Sequence, residues 1–73
     1  MDNSVYKVIE VIGTSSESWE AAARSAVETV AETVDDIRVA EVVKMDLRIE
    51  GNKVVQFRAK VMVSFKYHKH SSD

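Results

Sequence analysis

The stretch IRVAEVVKMDLRIEGNKVVQFRAKVMVSFKY, residues 37–67, decides the fold. Its apolar residues recur at every second position, the period with which side chains alternate across a strand. Ile37, Val39, Val43, Met45, Leu47 and Ile49 fall on one face, with Arg38, Lys44, Asp46, Arg48 and Glu50 on the other. Glu41 interrupts the first face. Gly51-Asn52 is a two-residue polar turn, and beyond it Val55, Phe57, Ala59, Val61, Val63, Phe65 and Tyr67 alternate with Gln56, Arg58, Lys60, Ser64 and Lys66. This pattern predicts an antiparallel hairpin with arms of about 14 residues, well beyond the usual five or six. The second face is not purely polar, since Ala40, Val42, Val54 and Met62 sit on it and offer a further contact surface.

Upstream of the hairpin, Val5 to Ile12 is rich in β-branched and aromatic residues and ends at Gly13, which predicts a strand leaving into a turn. Thr14-Ser15-Ser16 supplies several candidate helix caps, and Glu17 and Glu20 put negative charge in the first turn, where the helix dipole favours it. Trp19, Ala22, Ala23, Ala26, Val27, Val30 and Val34 then recur at steps of three and four, opposite Glu17, Glu20, Arg24, Glu28 and Glu32. One amphipathic helix of roughly 17 residues follows. Its alanines allow close approach to a sheet, with Trp19 as the large core anchor at its start. The order is strand, helix, strand, strand. One such helix cannot cover the apolar face of so long a hairpin, so neighbouring subunits must cover the rest.

Composition points the same way. The chain has 73 residues, one domain, and at that size only about 60% of the unfolded surface is buried on folding. Small domains are usually held by disulfides, metals or self-association, and with no cysteine the first route and thiolate zinc sites are closed. The lack of cysteine also fits a reducing cytoplasm. No apolar run approaches the ~18 residues needed to span a bilayer, and Met1-Asp2-Asn3-Ser4 lacks the pattern of a signal peptide. A cytoplasmic protein without membrane contact is expected, with an ordered core over residues 4–67 and a polar tail at 68–73.

The formal net charge of −2 hides an asymmetry: residues 1–43 carry −6 and the remainder +4. The cations of the basic half alternate along strands with no aromatic residue interleaved on their face, which argues against nucleic acid and for complementary packing between subunits. Catalytic chemistry finds no residues to carry it. There is no cysteine, Ser and Thr cluster at a helix start where capping explains them, and both glycines are turn residues, so no phosphate loop exists. His68 and His70, the only histidines, lie in the tail; they would point the same way on an extended strand and bind a transition metal weakly, but a frayed tail explains them.

The runs Val5-Tyr6-Lys7-Val8-Ile9-Glu10, Gly13-Thr14-Ser15, Ser18-Trp19-Glu20-Ala21-Ala22, Asp36-Ile37-Arg38-Val39-Ala40-Glu41-Val42 and Val61-Met62-Val63-Ser64-Phe65-Lys66 resemble the dodecins, and the resemblance spans residues 4–67. It implies an α+β subunit of β-α-β-β order whose three-stranded antiparallel sheet wraps around one helix. Twelve copies would close into a hollow homododecamer of cubic 23 symmetry. Flavin-binding dodecins hold riboflavin, its phosphate FMN or lumichrome as stacked pairs between subunits, as a store or photoprotective sink, and catalyse nothing. At the flavin-pocket positions this sequence has Val39 where those members place a stacking tryptophan and Arg58 where they place a glutamine, with Arg48 beside it. Both signature contacts are replaced. The SVYKVI start, SWE helix head and DDIRVA segment are similar to the calcium-binding, flavin-free branch.

Calcium needs six to eight oxygen ligands, and no EF-hand spacing exists here, so any ion must be gathered between subunits. Glu17, Asp35, Asp36 and Glu41 are the candidate ligands. Glu41, a carboxylate on an otherwise apolar strand face, most needs a partner. The leading expectation is a shell for ligand or ion storage and buffering with flavin binding weak or absent. Two alternatives stand beside it: retained flavin sequestration, with Arg58 on the flavin or its phosphate, and an adaptor whose hairpin edge pairs with a partner protein.

Overall fold

The computed structural model describes residues 3–67, so His68, His70 and the tail lie outside the described residues. The chain runs β1 (Tyr6–Ser15), α1 (Trp19–Ala31), β2 (Ile37–Glu50) and β3 (Lys53–Lys66). The three strands form one antiparallel sheet of order β1-β3-β2. Gly51 and Asn52 both have positive φ, 57° and 63°, between the paired Glu50 and Lys53. A two-residue hairpin with the right-handed strand twist demands this, and Gly and Asn adopt it at least cost. The β2 boundaries are those that the two-residue period predicts.

The first strand and the helix differ from expectation. β1 does not stop at Ile12 but continues through Gly13, Thr14 and Ser15, paired with Ala59, Arg58 and Phe57. Gly13 is there for close approach: a Cβ on it would lie 2.0 Å from the carbonyl oxygen of Ala22 and 2.9 Å from the Cβ of Ala26. The helix is 13 residues long, shorter than the roughly 17 expected: Ser18 caps it and not Thr14, Ser15 or Ser16, and it ends at Ala31 with Glu32 as its C-cap, so Val34 falls outside it. The Ser18 hydroxyl accepts from the Ala21 amide at 3.0 Å. Glu17 therefore precedes the cap, leaving Glu20 as the acid of the first turn.

Opposed residues in an antiparallel pair share a face, so β3, which pairs with β1 without a shift, serves as the ruler. Ala59, Val61 and Val63 of β3 are fully buried against Ala22 and Ala26 of α1, with Ile9, Val11, Ala23, Val27, Val30 and Ile37 packed around them. Arg58, Lys60, Met62 and Ser64 point to the other face, called here the outer face. The register of β2 against β3 shifts between Ile37 and Val39, between Val42 and Lys44, and between Arg48 and Ile49. These irregularities overturn the simple alternation. Ala40 and Val42, opposite Val63 and Val61, join the helix side, while Val39 and Glu41, opposite Ser64 and Met62, go to the outer face. Glu41 thus does not break an apolar face, as expected, but stands on the mixed outer one.

Among the described residues five, the largest of them valines, make up the buried hydrophobic core. Val42, Met45 and Leu47 on the helix side and Val8, Ile12 and Val39 on the outer side are all at least two-fifths exposed. The Cα radius of gyration is 15.3 Å, against about 11 Å for a compact chain of this length. The hairpin outruns its helix and leaves apolar surface exposed on both faces. Among the described residues no helix is long and apolar enough to cross a membrane.

Candidate functional site

The outer face is centred on an ion pair. Arg58 of β3 lies directly opposite Asp46 of β2 and grips it with two bonds, Nε to Oδ1 at 2.8 Å and Nη2 to Oδ2 at 3.3 Å. This forked geometry matches guanidinium to carboxylate and holds both side chains in place. The hydrogen bond from Arg58 holds the Asp46 carboxyl below its ordinary range, partial desolvation opposes this, and the charges of Arg58, Lys44 and Lys60 reinforce it. The guanidinium is held more firmly protonated in return. Ile12, Lys44, Asp46, Arg58 and Lys60 together line a shallow cavity of about 110 Å³.

Behind the pair, Trp19 at the head of α1 donates its indole N–H to the Asp46 carbonyl at 3.1 Å and meets the Phe57 ring edge-on, centroids 5.2 Å apart. Trp19 was expected as a core anchor; it is a brace, about one-third exposed, that ties the helix start to the strand carrying Asp46.

The flavin-pocket positions are scattered within one chain. Val39, 60% exposed, is opposite Ser64, whose hydroxyl donates to the Val39 carbonyl at 3.2 Å. Arg48 is opposite Gln56 and pairs with Glu50. Arg58 lies six residues along β3 from Ser64, about 20 Å at the strand rise. A ligand touching both Val39 and Arg58 would need two subunits, and Arg58 meets it already engaged by Asp46.

The four carboxylate candidates are not gathered either. Glu17 is exposed before the helix cap, and Asp35 is exposed in the loop after α1. Asp36, at positive φ, accepts from Arg38 at 3.0 Å through Oδ1. Glu41 is exposed on the outer face. Among the described residues no three acidic or histidine side chains converge on a point that could hold a metal. The set fits calcium only if oxygens from more than one subunit are combined.

Sequence reasoning missed Asp46 as the partner of Arg58. Counting back from the turn, where Glu50 opposes Lys53, puts Asp46 opposite Phe57. The irregularity at Val55 adds a residue to β3 and moves Arg58 into place. The opposite charges of an Asp and an Arg one register step apart were the available signal.

Comparison with known proteins gives a consistent picture. The dodecin family model matches residues 5–68. The chain is 51% identical over 63 residues to the calcium dodecin of Mycobacterium tuberculosis, covering 86% of this chain and 89% of that protein. The crystal structure of that organism's calcium dodecin, described as calcium-chelating with a novel calcium-binding site, superposes with a TM-score of 0.80 at 46% identity, covering 92% of this chain and 96% of the other. A dodecin from Streptomyces coelicolor superposes with a TM-score of 0.88 at 29% identity, over 94% and 99% of the two chains.

Proposed function

Since the chain belongs to the dodecin family, we propose that residues 1–73 are a single domain that assembles into a closed homododecameric shell, stores or buffers calcium at sites shared between subunits, and catalyses no reaction. The similarity to calcium dodecin over most of both chains carries the calcium reading. Self-assembly draws on the five-residue core and the apolar surface exposed on both faces. The absence of cysteine supports a place in the cytoplasm.

Flavin binding is weak or absent in this reading. Val39 offers no flat ring for stacking, and the Arg58 guanidinium is turned to Asp46. Calcium, when bound, would supply a site of high positive charge for carboxylate oxygens, with Glu41, Glu17, Asp35 and Asp36 as the groups able to approach it from neighbouring chains.

Isothermal titration of the purified particle with calcium tests this directly. Saturable binding that weakens in Glu41→Gln or Asp35→Asn, with particle size unchanged, is the expected result. A particle that binds no calcium, or whose affinity is untouched by all four carboxylate-to-amide replacements, contradicts it.

A further inference from the structure

Lys44 and Lys60 face each other directly across β2 and β3 on the outer face. Like charges so opposed repel, their Cβ atoms being about 5 Å apart. The chain creates this opposition with a register shift. Val42 opposes Val61, Val43 is skipped, and Lys44 opposes Lys60. Without the extra residue Val43 would oppose Lys60, and Lys44 would oppose Ala59, a fully buried position on the helix side. Bulges interrupt ladder hydrogen bonds and are used where a side chain must be re-aimed. Here the bulge places an ammonium beside two cations already present, Arg58 and Lys60.

The nearby carboxylates, Asp46 and Glu10, neutralise the three cations only in part. The cavity lined by Ile12, Lys44, Asp46, Arg58 and Lys60 holds three cations and one carboxylate. Both Asp46 oxygens are taken by Arg58. Lys60 reaches only Glu10, at 3.8 Å, and Lys44 has no ion-pair partner among the described residues. Lys44 therefore presents an unengaged ammonium, and Lys60 one held only by a loose 3.8 Å pair with Glu10, to one small space with Ile12 as its apolar wall. A cation would be repelled from it, and a neutral ligand would leave the repulsion in place.

We propose that this pocket binds a compact oxyanion of the phosphate class, bridged by the ammoniums of Lys44 and Lys60 with Arg58 behind them. Its volume of about 110 Å³ suits one tetrahedral anion, given that a single water occupies about 30 Å³ of liquid. The site lies within one subunit and is independent of the proposed calcium sites, so either can fail without the other.

The test compares the full chain with Lys44→Met and Lys60→Met, and with Lys53→Met at the hairpin end as a control. Thermal unfolding is followed in chloride and in inorganic phosphate at matched ionic strength, and phosphate affinity is measured by calorimetry. Phosphate should raise the wild-type Tm. Lys44→Met should raise the Tm in chloride, because the repulsion is gone, abolish the phosphate-induced rise, and weaken phosphate binding roughly tenfold or more, the size of one lost charge-assisted contact. Lys53→Met should do none of these. Adenosine 5′-phosphate, with adenosine as its blank, separates the sources: Lys44-dependent binding of inorganic phosphate alone assigns a free anion, and of the nucleotide alone the phosphoryl end of a larger ligand. A phosphate response that survives Lys44→Met, or that Lys53→Met removes equally, or no response to either probe, overturns the proposal.

Discussion

Gly13→Ala is predicted to be the most damaging single-methyl change in the chain. The added Cβ would sit 2.0 Å from the Ala22 carbonyl oxygen, where a carbon–oxygen contact needs about 3.3 Å. The struck atom is helix backbone, so no side chain can swing aside, and α1 must lift off β1 by about 1.3 Å to restore that contact distance. Overpacking costs about 1–3 kcal/mol. The lift also loosens Ala22 and Ala26, two of the five buried core side chains among the described residues, so a loss of about 3 kcal/mol is expected, at the top of that range. Gly51→Ala is the matched control. Gly51 has φ +57° with open space around its Cβ position, so only backbone strain of about 1–2 kcal/mol is incurred there. Urea unfolding read by the fluorescence of Trp19, the sole tryptophan, compares them at equal protein concentrations, because the proposed assembly would couple to stability. A Gly13→Ala midpoint equal to or above that of Gly51→Ala would refute the close-approach argument.

Three further predictions follow from individual contacts. Ser18→Ala removes the oxygen that accepts from the Ala21 amide and should lower stability by about 1 kcal/mol in the same urea assay, with Ser18→Gly costing less; equal midpoints for all three would contradict the cap. Asp46 is held below its ordinary 3.8, first by the Arg58 hydrogen bond. A carboxyl depressed on folding contributes stability that is complete above its unfolded pKa and is lost as pH falls through the folded one. Asp46→Asn should therefore flatten the loss of stability below about pH 4, and an unchanged acid limb would speak against the pair. Val39→Trp combined with Arg58→Gln should raise riboflavin affinity roughly tenfold or more, since ring stacking contributes about 1–3 kcal/mol per face; fluorescence quenching of riboflavin measures it, and no gain would favour retained flavin binding in the unaltered protein.

The hairpin was legible because its two signals are local: Gly51-Asn52 can adopt two positive φ values in succession, and a period of two survives over long arms. The faces of residues 39–43 were not legible. A bulge adds one residue without changing composition, and strict alternation then assigns Val39 and Ala40 to the wrong sides. The same cause hid the Asp46–Arg58 pair and the Lys44–Lys60 opposition, both of which depend on a register shift. The helix start was blurred by four hydroxyl residues in sequence range: the Ser15 oxygen accepts from the Glu17 amide ahead of the helix, and Ser18 accepts from the Ala21 amide within its first turn. Gly13 read as a turn because sequence shows its freedom and not the helix that lies against it. Val39, Arg48, Glu17, Asp35, Asp36 and Glu41 are scattered over one subunit, and sequence alone gives no register by which to see that.

Native mass spectrometry of the purified protein, alone and after adding calcium or riboflavin, tests the central claim of a self-assembled calcium-buffering shell. The account predicts a particle of about 98 kDa, twelve chains of 8.2 kDa, that gains calcium and no flavin. A species of one or two subunits would contradict the shell, and a particle that gains several flavins and no calcium would contradict its proposed cargo.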